Sequence, residues 1–143
     1  MPKFAGRHLR VWLADSADAL REISGDVATV ESPSEGDMHE VSGGNSTRKS
    51  YVVGLLDSTM RLNGPFNTDA NRSHAVLSGL IGGTAGKRVI IAPVGSASGY
   101  PKFEGTAVLK SYNPTSDVGG AVVYAAELVP IDDTTAPSWG TFA

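Results

Sequence analysis

The sequence contains no cysteine and only three histidines. Without thiols the chain has no disulfide framework, no thiolate metal site and no cysteine nucleophile. His8, His39 and His74 are widely separated and match neither an HExxH nor an HxxxH pattern. The sequence therefore predicts neither a bound metal nor another cofactor.

Positive charge is also scarce. Lys and Arg number 12 against 15 Asp and Glu, which gives a net charge of −3 and a pI near 5.5. Tight binding of nucleic acid normally requires a basic surface that neutralises phosphates, so it is not expected here.

Long apolar runs are missing as well. No stretch approaches the length of a membrane-spanning helix, and residues 1–10 lack the apolar segment of a signal peptide. We therefore expect no membrane association and a protein that is made and folded in a cytoplasm.

Two glycine-rich segments match catalytic motifs only superficially. Residues 83–88 (GTAGKR) resemble a phosphate-binding loop, but Ile81 stands where its first glycine is required, and Arg88 where Ser or Thr should hold the metal. Residues 95–99 (GSASG) resemble a nucleophile elbow, but Ala97 replaces the serine. The sequence therefore predicts that the protein is not an enzyme.

Glycine, by contrast, is abundant. The 17 glycines follow no collagen-like period, which indicates many turns and short strands, and 143 residues fit a single domain over residues 1–143. Residues 18–24 fit either a helical turn or a strand. Runs rich in β-formers predict strands over residues 8–14, 27–31, 51–56, 59–63, 88–94, 106–111 and 121–129.

One segment has the apolar period of a helix. Thr68 is a suitable cap, Asp69 suits the positive N-terminal dipole and Gly82-Gly83 ends the pattern, so a helix is predicted over about residues 69–82. The order of strands, one helix and strands predicts a mostly β fold, an antiparallel β-sandwich or barrel with one flanking α-helix.

Two segments are predicted to lack regular structure. Residues 32–49 have the Pro, Gly and Ser content of a long loop, and residues 131–143 form a loop-like tail that Trp139 and Phe142 could anchor. Between them, the apolar run Tyr51–Leu56 is predicted to be a strand covered on both faces.

Several segments together resemble a known family. They are RKSYVVGLLDSTMRLNGPFN, a helix that ends LSGLIGG, and RVIIAPVGSASGYPKFEGTAVLKSYNPTSDVGGAVVYAAEL. Their order and spacing, with the Gly54–Asp57 turn and Gly119-Gly120 before the last long strand, resemble the tail tube proteins, also called major tail proteins, of long-tailed bacteriophages. The resemblance covers over half of the chain.

The resemblance implies a structural role without catalysis. Tail tube proteins are β-sandwiches with one flanking helix that form hexameric rings, and the rings stack into a hollow conduit for DNA delivery. The implied partners are copies of the chain itself, the tape measure protein, the tail tip and the tail terminator. Viral DNA would pass through the lumen without sequence-specific binding. The implied location is the virion tail, after assembly in the bacterial host cytoplasm.

The resemblance also implies a role for residues 32–49, because the corresponding region typically reaches the neighbouring ring. The expected inter-ring contacts are the apolar residues Met38 and Val41 and the polar residues Glu35, Asp37, Glu40, Arg48 and Lys49.

Other functions remain open at this point. A tube subunit of a phage-derived bacterial injection system and a tail terminator are the nearest alternatives. A carbohydrate- or ligand-binding β module would need exposed aromatic residues on one sheet face, for which Trp12, Tyr124 and Trp139 are the candidates.

Overall fold

The computed structural model describes residues 6–45, 47–131 and 135–143. Short 3-10 turns occupy Gly6–His8 and Ser24–Asp26, and the α-helix α1 spans Ser73–Ser78. The strands are β1 (Arg10–Ala14), β2 (Leu20–Glu22), β3 (Thr29–Glu31), β4 (Glu35–Glu40), β5 (Tyr51–Asp57), β6 (Met60–Pro65), β7 (Lys87–Ala92), β8 (Pro101–Thr115), β9 (Val123–Pro130) and β10 (Ser138–Thr141).

Eight of these strands form one antiparallel sheet. The order is β2-β1-β7-β8-β9-β6-β3, and β10 adds to β8. The 15-residue β8 organises the sheet, because its first half pairs with β7 and β10 while its second half pairs with β9. The prediction of a mostly β, antiparallel fold with one helix is confirmed.

The core lies against one face of this sheet. In β6, Met60 and Leu62 are buried and alternate with exposed residues, as the period of a strand requires. In β9, Tyr124, Ala126 and Leu128 are buried, as predicted. The core also takes Val11, Leu13, Ile23, Val76, Leu77, Leu80, Val89, Ile91, Phe103 and Ala107.

A buried carboxylate joins the helix to the sheet. Asp26 accepts hydrogen bonds from the backbone N–H of Ser73 and from Nδ2 of Asn67, both at 3.1 Å. Its backbone carbonyl accepts the Tyr124 hydroxyl at 2.8 Å. Burial, and then the Asp26 charge, raises the pKa of Tyr124. A Cβ on Gly64 would collide with the same carbonyl, so this close approach requires glycine.

The helix is shorter than predicted. It spans Ser73–Ser78 instead of about residues 69–82, and Arg72 rather than Thr68 is its N-cap residue. Asn71 has a φ of 62°, a left-handed conformation that interrupts a helix, and Gly82 has a φ of 76° beyond its end. The flanking residues therefore form turns.

The prediction of a loop throughout residues 32–49 is wrong, because residues 35–40 form β4. The prediction that Tyr51–Leu56 is covered on both faces is also wrong, since every residue of β5 is exposed. Each strand supplies the other's backbone partners, so the pair forms without joining the large sheet.

The C-terminal segment contains a strand where a loop-like tail was expected. β10 pairs with the start of β8, the Trp139 ring lies 5.0 Å from Phe103, and the Phe142 ring lies 6.2 Å from Trp12. Residues 132–134 of the expected tail lie outside the described residues.

Candidate assembly interface

β4 and β5 form a hairpin, residues 35–57, that we call the arm. Within the described part of the chain, these two strands pair with each other and with no other strand. Glu35 lies opposite Asp57, Met38 opposite Val53 and Glu40 opposite Tyr51, with a bulge between Gly36 and Met38. Two-stranded sheets are marginally stable in water by themselves, so the arm is a structure that gains from further contacts.

One side of the arm, the apolar face, carries large apolar side chains. Met38 and Val53 point to this side as cross-strand neighbours. A Cβ on Gly36 would lie 3.1 Å from both Val53 and Leu56, which places those two side chains over the glycine. Met38 is 60% exposed and Leu56 is 77% exposed, so apolar surface faces solvent here.

The opposite side, the acidic face, carries carboxylates. Strand alternation places Glu35, Asp37 and His39 there, and Asp57 lies across from Glu35. A Cβ on Gly54 would lie only 2.6 Å from Nε2 of His39, so the imidazole packs directly over this glycine. The bulge includes Leu55, which is 82% exposed and lines a cavity with Leu56, Pro130 and Pro137.

An apolar groove lies between the apolar face and the C-terminal strand. It has a volume of about 440 Å³, and its apolar lining comes from Met38, Val53 and Leu56 of the arm and from Pro137 and Trp139 on the other side. Glu35 and Asp57, at the end of the arm, also contribute to the lining. The indole of Trp139 packs on Phe103 at one side and leaves half of its surface open. The groove therefore fits an apolar segment from another molecule.

All seven residues predicted to make inter-ring contacts lie on the arm. Glu35, Asp37, Met38 and Glu40 belong to β4, and Val41, Arg48 and Lys49 lie in the connection to β5; residue 46 in that connection is outside the described residues. The backbone N–H of Val41 donates to the Ser50 carbonyl at 2.8 Å, which extends the hairpin by one bond.

The larger share of the apolar surface of the arm was not predicted from the sequence. Its residues are Tyr51, Val52, Val53, Leu55 and Leu56, all more than half exposed. Their continuous apolar run was the available signal, but it was interpreted as a strand covered on both faces.

The described residues contain neither a metal-binding cluster nor a membrane-spanning helix. They contain no group of three or more His, Asp or Glu side chains placed to hold a metal ion. Within residues 6–45, 47–131 and 135–143, no helix is both long and apolar enough to cross a membrane.

No protein-family model matches the sequence, and no curated protein matches it.

Solved structures do match. A chain from the tail of an empty gene transfer agent particle, refined with C6 symmetry, superposes with a TM-score of 0.74 at 11% identity, covering 99% of this chain and 100% of that one. A chain from the SPP1 tail tube gives 0.70 at 13% identity, over 95% and 80%. The chain has the tail-tube fold.

The same fold extends to an injection system. A chain from the sheath–tube complex of an extracellular contractile injection system, PVC, has a TM-score of 0.67 at 14% identity, over 97% of this chain and 92% of that one. At such identities the similarity establishes the tail-tube fold but not the function.

Proposed function

We propose that the protein is the structural subunit of a phage tail tube, which forms hexameric rings that stack into a hollow conduit for DNA delivery. The exposed apolar arm on a tail-tube fold carries this proposal. The C6 symmetry of the gene transfer agent tail supports six subunits per ring. The role is structural and involves no catalysis.

The physical argument is the cost of leaving the arm in water. Burying a leucine or valine side chain contributes about 1.5–3 kcal/mol, and Met38, Val53 and Leu56 are exposed together on the apolar face of the arm. Soluble monomers rarely leave such a contiguous patch uncovered. A second copy of the chain, seated in the groove beside Trp139, would cover it.

The remaining partners follow from the same role. We propose contacts with a tape measure protein, a tail tip and a tail terminator, and a virion tail that is assembled in the host cytoplasm. The net charge of −3 favours a lumen through which DNA slides without sequence-specific binding.

A tube subunit of a contractile injection system is the second candidate. The match to the PVC sheath–tube complex favours it. The match to the tube-terminating cap of the anti-feeding prophage also favours a tail terminator as an alternative. A terminator would form a single ring and would not polymerise into a tube.

Electron microscopy of the purified protein tests the proposal. We expect six-fold rings and tubes from the wild type, and folded monomers from a Leu55→Asp/Leu56→Asp variant. Ile81→Asp/Val118→Asp is the matched control, because both side chains are exposed, neither belongs to the arm, and the variant gains the same two charges. A wild-type protein that stays monomeric at high concentration would rule the proposal out.

A further inference from the structure

Several ion pairs join charged residues on and beside the large sheet. Asp15 binds Arg21, Asp18 binds Lys87, and Glu104 binds both Arg88 and Lys102, with separations of 2.7–3.0 Å. Arg61 similarly joins Glu31 and Glu127.

The acids of the arm follow a different pattern. Among the described residues, Glu35, Asp37 and Glu40 take part in no ion pair, and all three are exposed or nearly so. Glu35 also lies directly opposite Asp57, and like charges in directly opposed strand positions destabilise a hairpin. The end of the arm at Glu35 and Asp57 therefore has a charge arrangement that a cationic partner would relieve, whereas Arg48 and Lys49 lie in the connection at its other end.

A basic groove elsewhere on the chain has the complementary charge. It has a volume of about 370 Å³ and is lined in part by Arg7, His8 and Arg10, which lie in the 3-10 turn and at the first position of β1. Both arginines are exposed and take part in no ion pair among the described residues. A third arginine lies close by, since Arg72 donates to the carbonyl of Glu22, another lining residue.

We propose that the acidic face of the arm docks in the Arg7–Arg10 groove of a second copy of the chain. This inference rests on the proposed self-assembly and specifies which charged surfaces meet. The apolar face and the acidic face of one arm would then serve different contacts, one for burial and the other for orientation.

The occupant is a second copy because the complementary charges belong to the same sequence. The arm has no strand partner in its own large sheet, and no ion pair of the described residues joins it to Arg7 or Arg10. A contact between two different surfaces of identical chains is heterologous, and such contacts produce rings or open stacks.

Charge reversal tests the docking. We expect Glu35→Lys/Asp37→Lys and, separately, Arg7→Glu/Arg10→Glu to raise the protein concentration needed for assembly by at least about tenfold. The four changes together exchange the charges of both surfaces and should restore assembly to near the wild-type concentration. The readout is the pelleted fraction in a concentration series, with circular dichroism to verify folding.

Asp69→Lys/Asp117→Lys is the matched control, because it changes the net charge equally at two exposed acids away from the arm. Docking at this groove is overturned if the arm reversal assembles like this control, or if the fourfold variant fails to recover. In both cases the wild type would still form tubes. A wild type that forms no tubes would refute the proposed function itself.

Salt gives a second measurement that needs no variant. Between about 0.1 M and 1 M NaCl the screening length falls from about 10 Å to 3 Å. We expect the wild-type assembly concentration to rise over this range, and assembly that strengthens or stays constant would contradict the docking.

Discussion

β7 and β5 are both nearly continuous apolar strands, yet their surroundings are opposite. β7 lies between β1 and β8, and its last four residues are buried. Among the described residues, β5 pairs with β4 alone, and all seven residues of β5 are exposed. An apolar run therefore indicates that a strand becomes covered, but it does not indicate whether the cover comes from the same chain. In the sheet the cover is internal, whereas the described residues leave β5 uncovered.

The largest expected difference between the two regions concerns core truncation. Phe103→Ala should lower the free energy of unfolding by about 3–5 kcal/mol, because it empties a fully buried site. Val53→Ala in the arm should change it by less than about 0.5 kcal/mol. Urea unfolding of both changes, each in the Leu55→Asp/Leu56→Asp background to prevent assembly, measures the difference. Equal losses would mean that the arm packs on its own sheet.

The next largest loss of stability is expected from a change at a glycine in β8. A Cβ on Gly105 would collide with the backbone of Pro137, so Gly105→Ala should displace β10 and cost about 1–3 kcal/mol. Gly140→Ala is the control, since open space surrounds that position. Trp139 fluorescence reports the displacement, and unchanged emission in Gly105→Ala would show that β10 does not depend on this close approach.

A smaller effect is expected from one hydroxyl. Tyr124→Phe removes the bond to the Asp26 carbonyl and should reduce the free energy of unfolding by about 1 kcal/mol. Tyr51→Phe, at an exposed position of the arm, should have no measurable effect. If both variants unfold at the wild-type urea concentration, the bond to Asp26 contributes nothing to the sheet.

Acid should weaken the ion pairs of the sheet. Burial alone would raise the pKa of Glu104, but hydrogen bonds from Lys102 and Arg88 outweigh it and leave the pKa below its ordinary value of 4.5. A hydrogen bond from Arg21 likewise lowers the pKa of Asp15 from 3.8. A carboxylate with a lowered folded-state pKa stabilises the fold above its unfolded-state pKa and loses this contribution as pH falls through the folded-state value.

We therefore expect the free energy of unfolding to decline below about pH 4.5, with a shallower decline in Glu104→Gln. An unchanged slope in Glu104→Gln would contradict the role assigned to its ion pairs.

The sequence predicted elements whose pattern is local. Alternation in β6 and in the buried face of β9 is visible because each has one covered face. The N-terminal end of the helix was predicted too early because Asn71 adopts a left-handed backbone conformation, which the sequence pattern does not indicate. β10 was missed because its partner in β8 lies more than thirty residues away in sequence, and Ser138 and Glu104 meet only in the folded chain.

Some residues of the arm could likewise be predicted from the sequence, and others could not. Its predicted residues in β4 came from a family resemblance, since a strand with both faces exposed has no burial pattern to detect. The apolar residues of β5 were visible as a run, but their exposure depends on the absence of a covering element, which only the three-dimensional arrangement shows.

Sedimentation velocity of two proteins tests the central claim most directly. One is the wild type, and the other has residues 35–57 replaced by a short Gly-Ser linker between Ser34 and Ser58. We expect the wild type to sediment as large assemblies and the linker variant as a folded monomer with the wild-type near-ultraviolet circular dichroism of the sheet. A linker variant that assembles as the wild type does would contradict the claim that the arm holds the subunits together.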